Sequence, residues 1–98
     1  MGEVIAVREL SFLREDGSEE IVWVRIGKPY QEGKEEPWFC PYEIASPTKK
    51  KNFAMAGVDS MQALILTTKT ILPELEHWSR KENGSFFYGG GPDTGFTD

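Results

Sequence analysis

Several polar or reactive side chains are candidates for chemistry. Ser60, in the octet GVDSMQAL from Gly57 to Leu64, is a hydroxyl at the head of a helical pattern, where a nucleophile or attachment point would sit. Cys40 is the only cysteine and His77 the only histidine. A cysteine nucleophile wants a histidine as base, but His77 falls near the far end of the helix that Ser60 begins. Phe39, Pro41 and Trp38 surround Cys40, an apolar setting that suits a buried, inert thiol. One Cys and one His fall short of the three or four ligands a zinc site needs. Arg25 and Asp93 are the remaining pair, and they imply either a polar pocket or an ion pair that pins the tail; the pinning pair is the simpler reading. Tyr42 and Asp59 would complete the pocket at one end of the sheet, with Tyr30, Trp38 and Tyr88 as an aromatic rim.

These residues sit on a simple succession of elements. EVIAVRELSF (3–12) and IVWVRI (21–26) are β-rich runs, joined by REDGSEE, whose Asp16-Gly17 supplies the positive φ of a tight hairpin. In the first run Val4, Ala6, Leu10 and Phe12 fall on one face and Ile5 and Val7 on the other. Gly27-Lys28-Pro29 ends the second strand. WFCPYEI (38–44) alternates as a third strand, which Pro41 predicts to be an edge or bulged strand. Asn52 to Ala56 is a fourth. From Ser60 to Arg80 the period changes to about 3.6, and Met61, Leu64, Ile65, Thr68, Ile71, Leu72 and Leu75 form one stripe. Leu66 points the other way. Pro73 interrupts the hydrogen bonding, yet the stripe persists through Leu75, which favours a kinked helix over a broken one. Asn83-Gly84 closes the helix, SFFY (85–88) is a final strand, and residues 89–98 form a glycine-rich tail anchored by Phe96 alone.

The resulting order, β-β-β-β-α-β in a single domain over 1–98, predicts an α+β fold: an antiparallel sheet of about four to five strands with one long helix on one face. One helix cannot cover both faces. Ile5, Val7, Val22 and Val24 or their neighbours are left for the second face, so a homodimer or a protein partner is expected.

GVDSMQAL resembles the phosphopantetheine attachment motif of acyl and peptidyl carrier proteins, with Gly57, Asp59, Ser60, Met61 and Leu64 in place. The resemblance covers eight residues only, and carrier domains are helical bundles, whereas this octet follows some 55 residues of strand pattern. The same letters are accounted for without chemistry. Asp59 is a good N-cap, Gln62 stands three residues later where a capping box reaches back, and Gly57 gives a tight exit from the strand. Taken with R-I-G-x-P at 25–29, C-P-Y-E-I at 40–44 and G-G-x-x-D-x-G-F at the end, the octet looks like part of a family of small bacterial proteins of unknown function. That resemblance implies a shared fold and no catalytic residues.

Composition narrows the function classes. Sixteen acidic against 11 basic residues give a net charge of -5, which disfavours binding to nucleic acid, since that needs a basic face. Lys49-Lys50-Lys51 is the only basic run and reads as a solvated loop. No G-x-S-x-G, Walker loop or G-x-G-x-x-G leading into a helix is present, and GGGPDTG has no helix after it. No cofactor is implied. A lone cysteine excludes an internal disulfide. Met1-Gly2-Glu3 runs straight into a strand pattern, and no apolar stretch is long enough for a membrane. The expectation is a cytoplasmic, non-catalytic binding or protein-interaction module; a small-ligand binder or enzyme is the alternative.

Overall fold

A computed structural model describes all 98 residues, Met1–Asp98. The elements are β1 (Val4–Arg14), β2 (Glu19–Gly27), β3 (Tyr30–Gln31), β4 (Trp38–Ala45), β5 (Lys50–Gly57), α1 (Ser60–Glu82) and β6 (Gly84–Phe87). All six strands join one antiparallel sheet. Its order is β5-β4-β2-β1-β6, with the short β3 lying beside β4. The fold is therefore α+β, one helix on an antiparallel sheet, with β3 added inside what the sequence presents as a loop. No helix is long and apolar enough to cross a membrane.

The β1–β2 hairpin turns where Asp16-Gly17 predicts. Gly17 has φ 90°, its N–H donates to Arg14 O at 3.0 Å, and Arg14 N–H donates to Ser18 O at 2.8 Å. Asp16 Oδ1 accepts from the Ser18 hydroxyl at 2.6 Å and from its amide at 2.8 Å. These two bonds hold the Asp16 carboxyl below its ordinary range.

Pro41 does not make an edge. β4 is interior, pairing with β5 from Trp38 to Ala45 on one side and with β2 and β3 on the other. On the second side the register slips by one residue between Ile26–Tyr42 and Tyr30–Phe39. Pro41 stands opposite that slip, where the ladder is already interrupted and a missing N–H costs least. The approach is tight, since a Cβ on Gly27 would lie 2.8 Å from Pro41 Cγ.

The helix also corrects the sequence reading. Its buried residues are Ala63, Thr67, Ile71, Leu75 and Trp78, whereas Met61 and Ile65 are exposed and Leu66 is half-buried. The true stripe is rotated toward the small residues Ala63 and Thr67, which let the helix sit close on β4. Thr67 remains satisfied there, its hydroxyl donating to Ala63 O at 3.0 Å. Pro73 lies inside an unbroken helix and is exposed. On that solvent side water can take up the carbonyl of Lys69 that Pro73 leaves without a donor. At the other end Asn83 adopts the left-handed conformation (φ 54°) and its N–H bonds to Ser79 O.

The core on this side of the sheet contains Leu10, Phe12, Val22, Val24, Ile26, Cys40, Tyr42, Ile44 and Phe86. Phe12 and Phe86 rings are 4.7 Å apart, and Tyr42 stacks on Phe53 at 4.8 Å. Val22 and Val24 thus belong to this covered face, not to the second face where the sequence reading allowed them. An ion network closes the end of the sandwich. Arg14 bridges Glu20 (2.8 Å) and Glu82 (3.4 Å), and Lys49 reaches Glu82 at 3.3 Å. The Lys49 hydrogen bond leads the effects that hold the Glu82 carboxyl below its ordinary range.

Candidate functional site

Strand alternation sorts the remaining side chains onto the uncovered face of the sheet. There β1 contributes Val7, Glu9, Ser11 and Leu13, and β2 contributes Glu19, Ile21, Trp23 and Arg25, paired as Val7–Arg25, Glu9–Trp23, Ser11–Ile21 and Leu13–Glu19. Beyond β2 come Glu43 and Ala45 on β4, then Lys50 and Asn52 on β5. The charged groups at the centre are internally matched. Arg25 Nη1 meets Glu43 Oε1 at 2.8 Å, and Lys50 Nζ lies 3.7 Å from the other Glu43 oxygen. The Arg25 guanidinium also sits 5.2 Å from the Trp23 ring, whose indole N–H donates to Glu9 at 3.3 Å. Glu43, only 7% exposed, is buried in the middle of this ladder. Around the ladder Val7, Leu13 and Ile21 stand 57%, 42% and 42% exposed.

The covered face is incomplete at one corner. The helix lies over β4, β5 and β6, so the first half of β1 and the neighbouring part of β2 are left for the tail. The tail reaches them by a turn at Tyr88–Gly91, whose Gly89 and Gly90 have φ 59° and 83°, the signs a type I′ turn requires. It then lays Phe96 against the core. A cleft of about 290 Å³ remains, with Ala6, Val24 and Ile26 as floor, Thr68 of the helix on one side, and Gly95 and Phe96 on the other. Arg8 rises into it. Arg8 Nη1 donates to Thr94 O at 2.8 Å, and its guanidinium stacks 4.5 Å from the Tyr88 ring and 5.1 Å from the Phe96 ring. Gly95 has φ 84°, and a Cβ there would collide with Arg8 Nη1.

Residues 6–97 match the family model of a domain of unknown function, DUF6968. The chain belongs to this family. No curated protein and no solved structure matches the chain. The DUF6968 match runs from the first strand through Phe96, so it takes in both faces of the sheet and the tail.

Within this DUF6968 fold the pocket expected from Arg25, Tyr42, Asp59 and Asp93 is not assembled. Arg25 is on the bare face with Glu43. Tyr42 is 2% exposed on the opposite, covered face, where burial pushes its hydroxyl pKa up. Asp59 is exposed at the helix start, its Oδ1 accepting from Gln62 N at 2.7 Å, while Gln62 Oε1 accepts from Val58 N at 2.7 Å. Asp93 is exposed in the tail and accepts from Gly95 N at 2.8 Å. Arg25 therefore does not pin the tail; Arg8 does, through a backbone carbonyl and two aromatic rings. Arg8 carried a signal that sequence reasoning passed over. It shares its alternation with Leu10 and Phe12, so a cation had to point to the covered face. The aromatic rim is dispersed as well, with Tyr30 on Phe39 at 5.8 Å and Tyr88 on Arg8.

The reactive candidates lie apart. Cys40 is fully buried, its nearest polar partner Gly27 O at 3.7 Å from Sγ, whereas His77 is exposed beside Lys51, Phe53 and Glu74. Ser60 is exposed in the first turn of α1. No three His, Cys, Asp or Glu side chains converge.

Proposed function

We propose that this DUF6968 chain is a non-catalytic interaction module that docks through the bare face of its sheet, and that its occupant is a second copy of itself. The observation that carries the reading is the charge of that face against the charge of the chain. Glu9, Glu19 and Glu43 against Arg25 and Lys50 leave the face at -1, while the whole chain stands at -5. Two copies therefore repel least when these faces meet. A two-fold axis would also set the Arg25 of each copy near acidic groups of the other, which suits an isologous contact. Exposed Val7, Leu13 and Ile21 supply the apolar area that a monomer has no reason to present together. The face is also of suitable size. Five strands about 4.8 Å apart and some eight residues long span on the order of 20 by 30 Å. That is comparable with the roughly 800 Å² per partner of a standard interface.

Ile21→Lys tests the reading. The side chain is exposed, so the variant folds; a charge placed at the centre of the contact on both copies should convert a dimer into a monomer by light scattering. An Ile21→Lys protein that keeps the dimeric mass would place the contact elsewhere.

A further inference from the structure

Three arginines lie on the sheet, and two of them have carboxylate partners: Arg14 with Glu20 and Glu82, Arg25 with Glu43. Arg8 has none. In a chain with 16 acidic residues, a half-buried guanidinium whose only protein hydrogen bond goes to a carbonyl is conspicuous. A guanidinium has five N–H donors in a fixed plane, and Thr94 O engages Nη1 alone. Tyr88 and Phe96 flank the group with their rings, which holds it in place without neutralising its charge. Gly95, at φ 84°, turns the tail against Arg8, and a Cβ there would push the guanidinium out of its place. The cation is thus pre-positioned in a cleft whose floor, Ala6, Val24 and Ile26, is apolar.

We infer that the Arg8 cleft is a binding site for an apolar carboxylate. The carboxylate pairs with the free edge of the guanidinium, the geometry in which arginine is strongest. The apolar body lies along Ala6, Val24 and Ile26, against Thr68 and Phe96. The cleft volume of about 290 Å³ sits at the lower end of ordinary small-ligand pockets, about 300–1,000 Å³, so the ligand is a small one. A free organic acid and the C-terminal residue of a peptide present the same chemistry. Val7 at the edge of β1 borders both the cleft and the proposed dimer contact, but Arg8 and the apolar floor face away from that contact, so the two readings are tested by different substitutions.

The test is a titration of the full chain, followed by amide chemical shifts, with 4-methylpentanoate, phenylacetate and an N-acetylated dipeptide ending in leucine. The amide of each compound is its neutral control. Saturable shifts at Arg8, Val24, Gly95 and Phe96 with the acids, absent with the amides, are expected. Binding confined to the small acids assigns the site to free acids, and binding confined to the dipeptide assigns it to chain termini; both support the inference. Arg8→Gln should weaken the best acid by about ten- to a hundredfold, the effect of losing a charged hydrogen-bonding partner. Arg25→Gln, on the other face, should leave it unchanged. Arg8→Lys keeps the cation without the fork and should bind with intermediate affinity, which guards against misreading a tail that has come loose. No saturable binding by any acid, equal binding of acids and amides, or equal loss in the Arg8→Gln and Arg25→Gln proteins would overturn the inference.

Discussion

Arg8 and Arg25 lie on neighbouring strands, each directly across from a valine: Arg8 opposite Val24, and Arg25 opposite Val7. They point to opposite faces of one sheet and meet opposite fates. Arg25 faces the bare side, yet it is matched by Glu43 and stacked on Trp23. Arg8 faces the covered side, yet it has a carbonyl and two rings in place of an anion. The covered face has therefore closed over its apolar residues and left one charge unanswered. The bare face has answered its central charges and left its apolar residues open. An unmatched charge and an unmatched apolar surface call for different partners, which is why a carboxylate is assigned to one face and a second chain to the other.

The contrast can be broken most severely at Phe12 and Leu13, adjacent residues on opposite faces. Phe12→Ala removes a fully buried ring packed on Phe86 and should cost about 3–5 kcal/mol in chemical unfolding. Leu13→Ala, 42% exposed in the single chain, should leave stability within about 0.5 kcal/mol when both proteins are unfolded at concentrations too low for association. Comparable losses would mean that the two faces are equally buried in solution. Next in size is Arg25→Gln, which strands the buried Glu43 carboxylate with only the exposed Lys50, 3.7 Å away. It should cost about 1–3 kcal/mol, whereas Arg8→Gln, which strands no charge, should cost less. The reverse order would show that Arg8 is a structural residue and Arg25 a spare one.

Smaller effects sharpen the boundaries of the covered face. Asp59→Ala removes the acceptor of Gln62 N and should lower stability by about 1 kcal/mol. An unchanged melting temperature would show that Gln62 alone holds the helix start. Tyr42 reports on burial through pH. Burial raises its pKa above the ordinary 10.0, so the folded state prefers the neutral phenol. That preference costs nothing below pH 10, where the unfolded chain is also neutral. It weakens the fold as pH rises above 10 and the unfolded tyrosine ionises. Stability of the Tyr42→Phe protein should fall less steeply above pH 10 than that of the parent, and parallel curves would place Tyr42 in contact with water.

Much of the covered face was legible in the sequence. Alternation in β1, the Asp16-Gly17 turn and the change of period after Gly57 all follow from local rules and reappear in the structure. What escaped depended on pairing between distant segments. Pro41 reads as an edge signal because local chemistry says only that an N–H is missing. That the absence falls opposite the slip between β2 and β3 is a matter of register. The buried stripe of α1 was misplaced because size decided it: Ala63 and Thr67 face the sheet where the helix comes close, and the larger Met61 and Ile65 do not. Arg25 was chosen over Arg8 because nothing local says which arginine finds a carboxylate. The alternation shared by Arg8, Leu10 and Phe12 did point inward, but a charge on that face reads as an exception until the tail that stacks on it is seen.

The bare face carries the proposed function, so its most direct test is the mass of the particle in solution. Sedimentation of the full chain over a micromolar concentration series, beside the Ile21→Lys protein, compares the face intact and interrupted. The account predicts twice the 11.1 kDa chain mass for the parent and a single chain for the variant, with matching melting temperatures extrapolated to low concentration. A parent protein that stays a single chain throughout the series would contradict it.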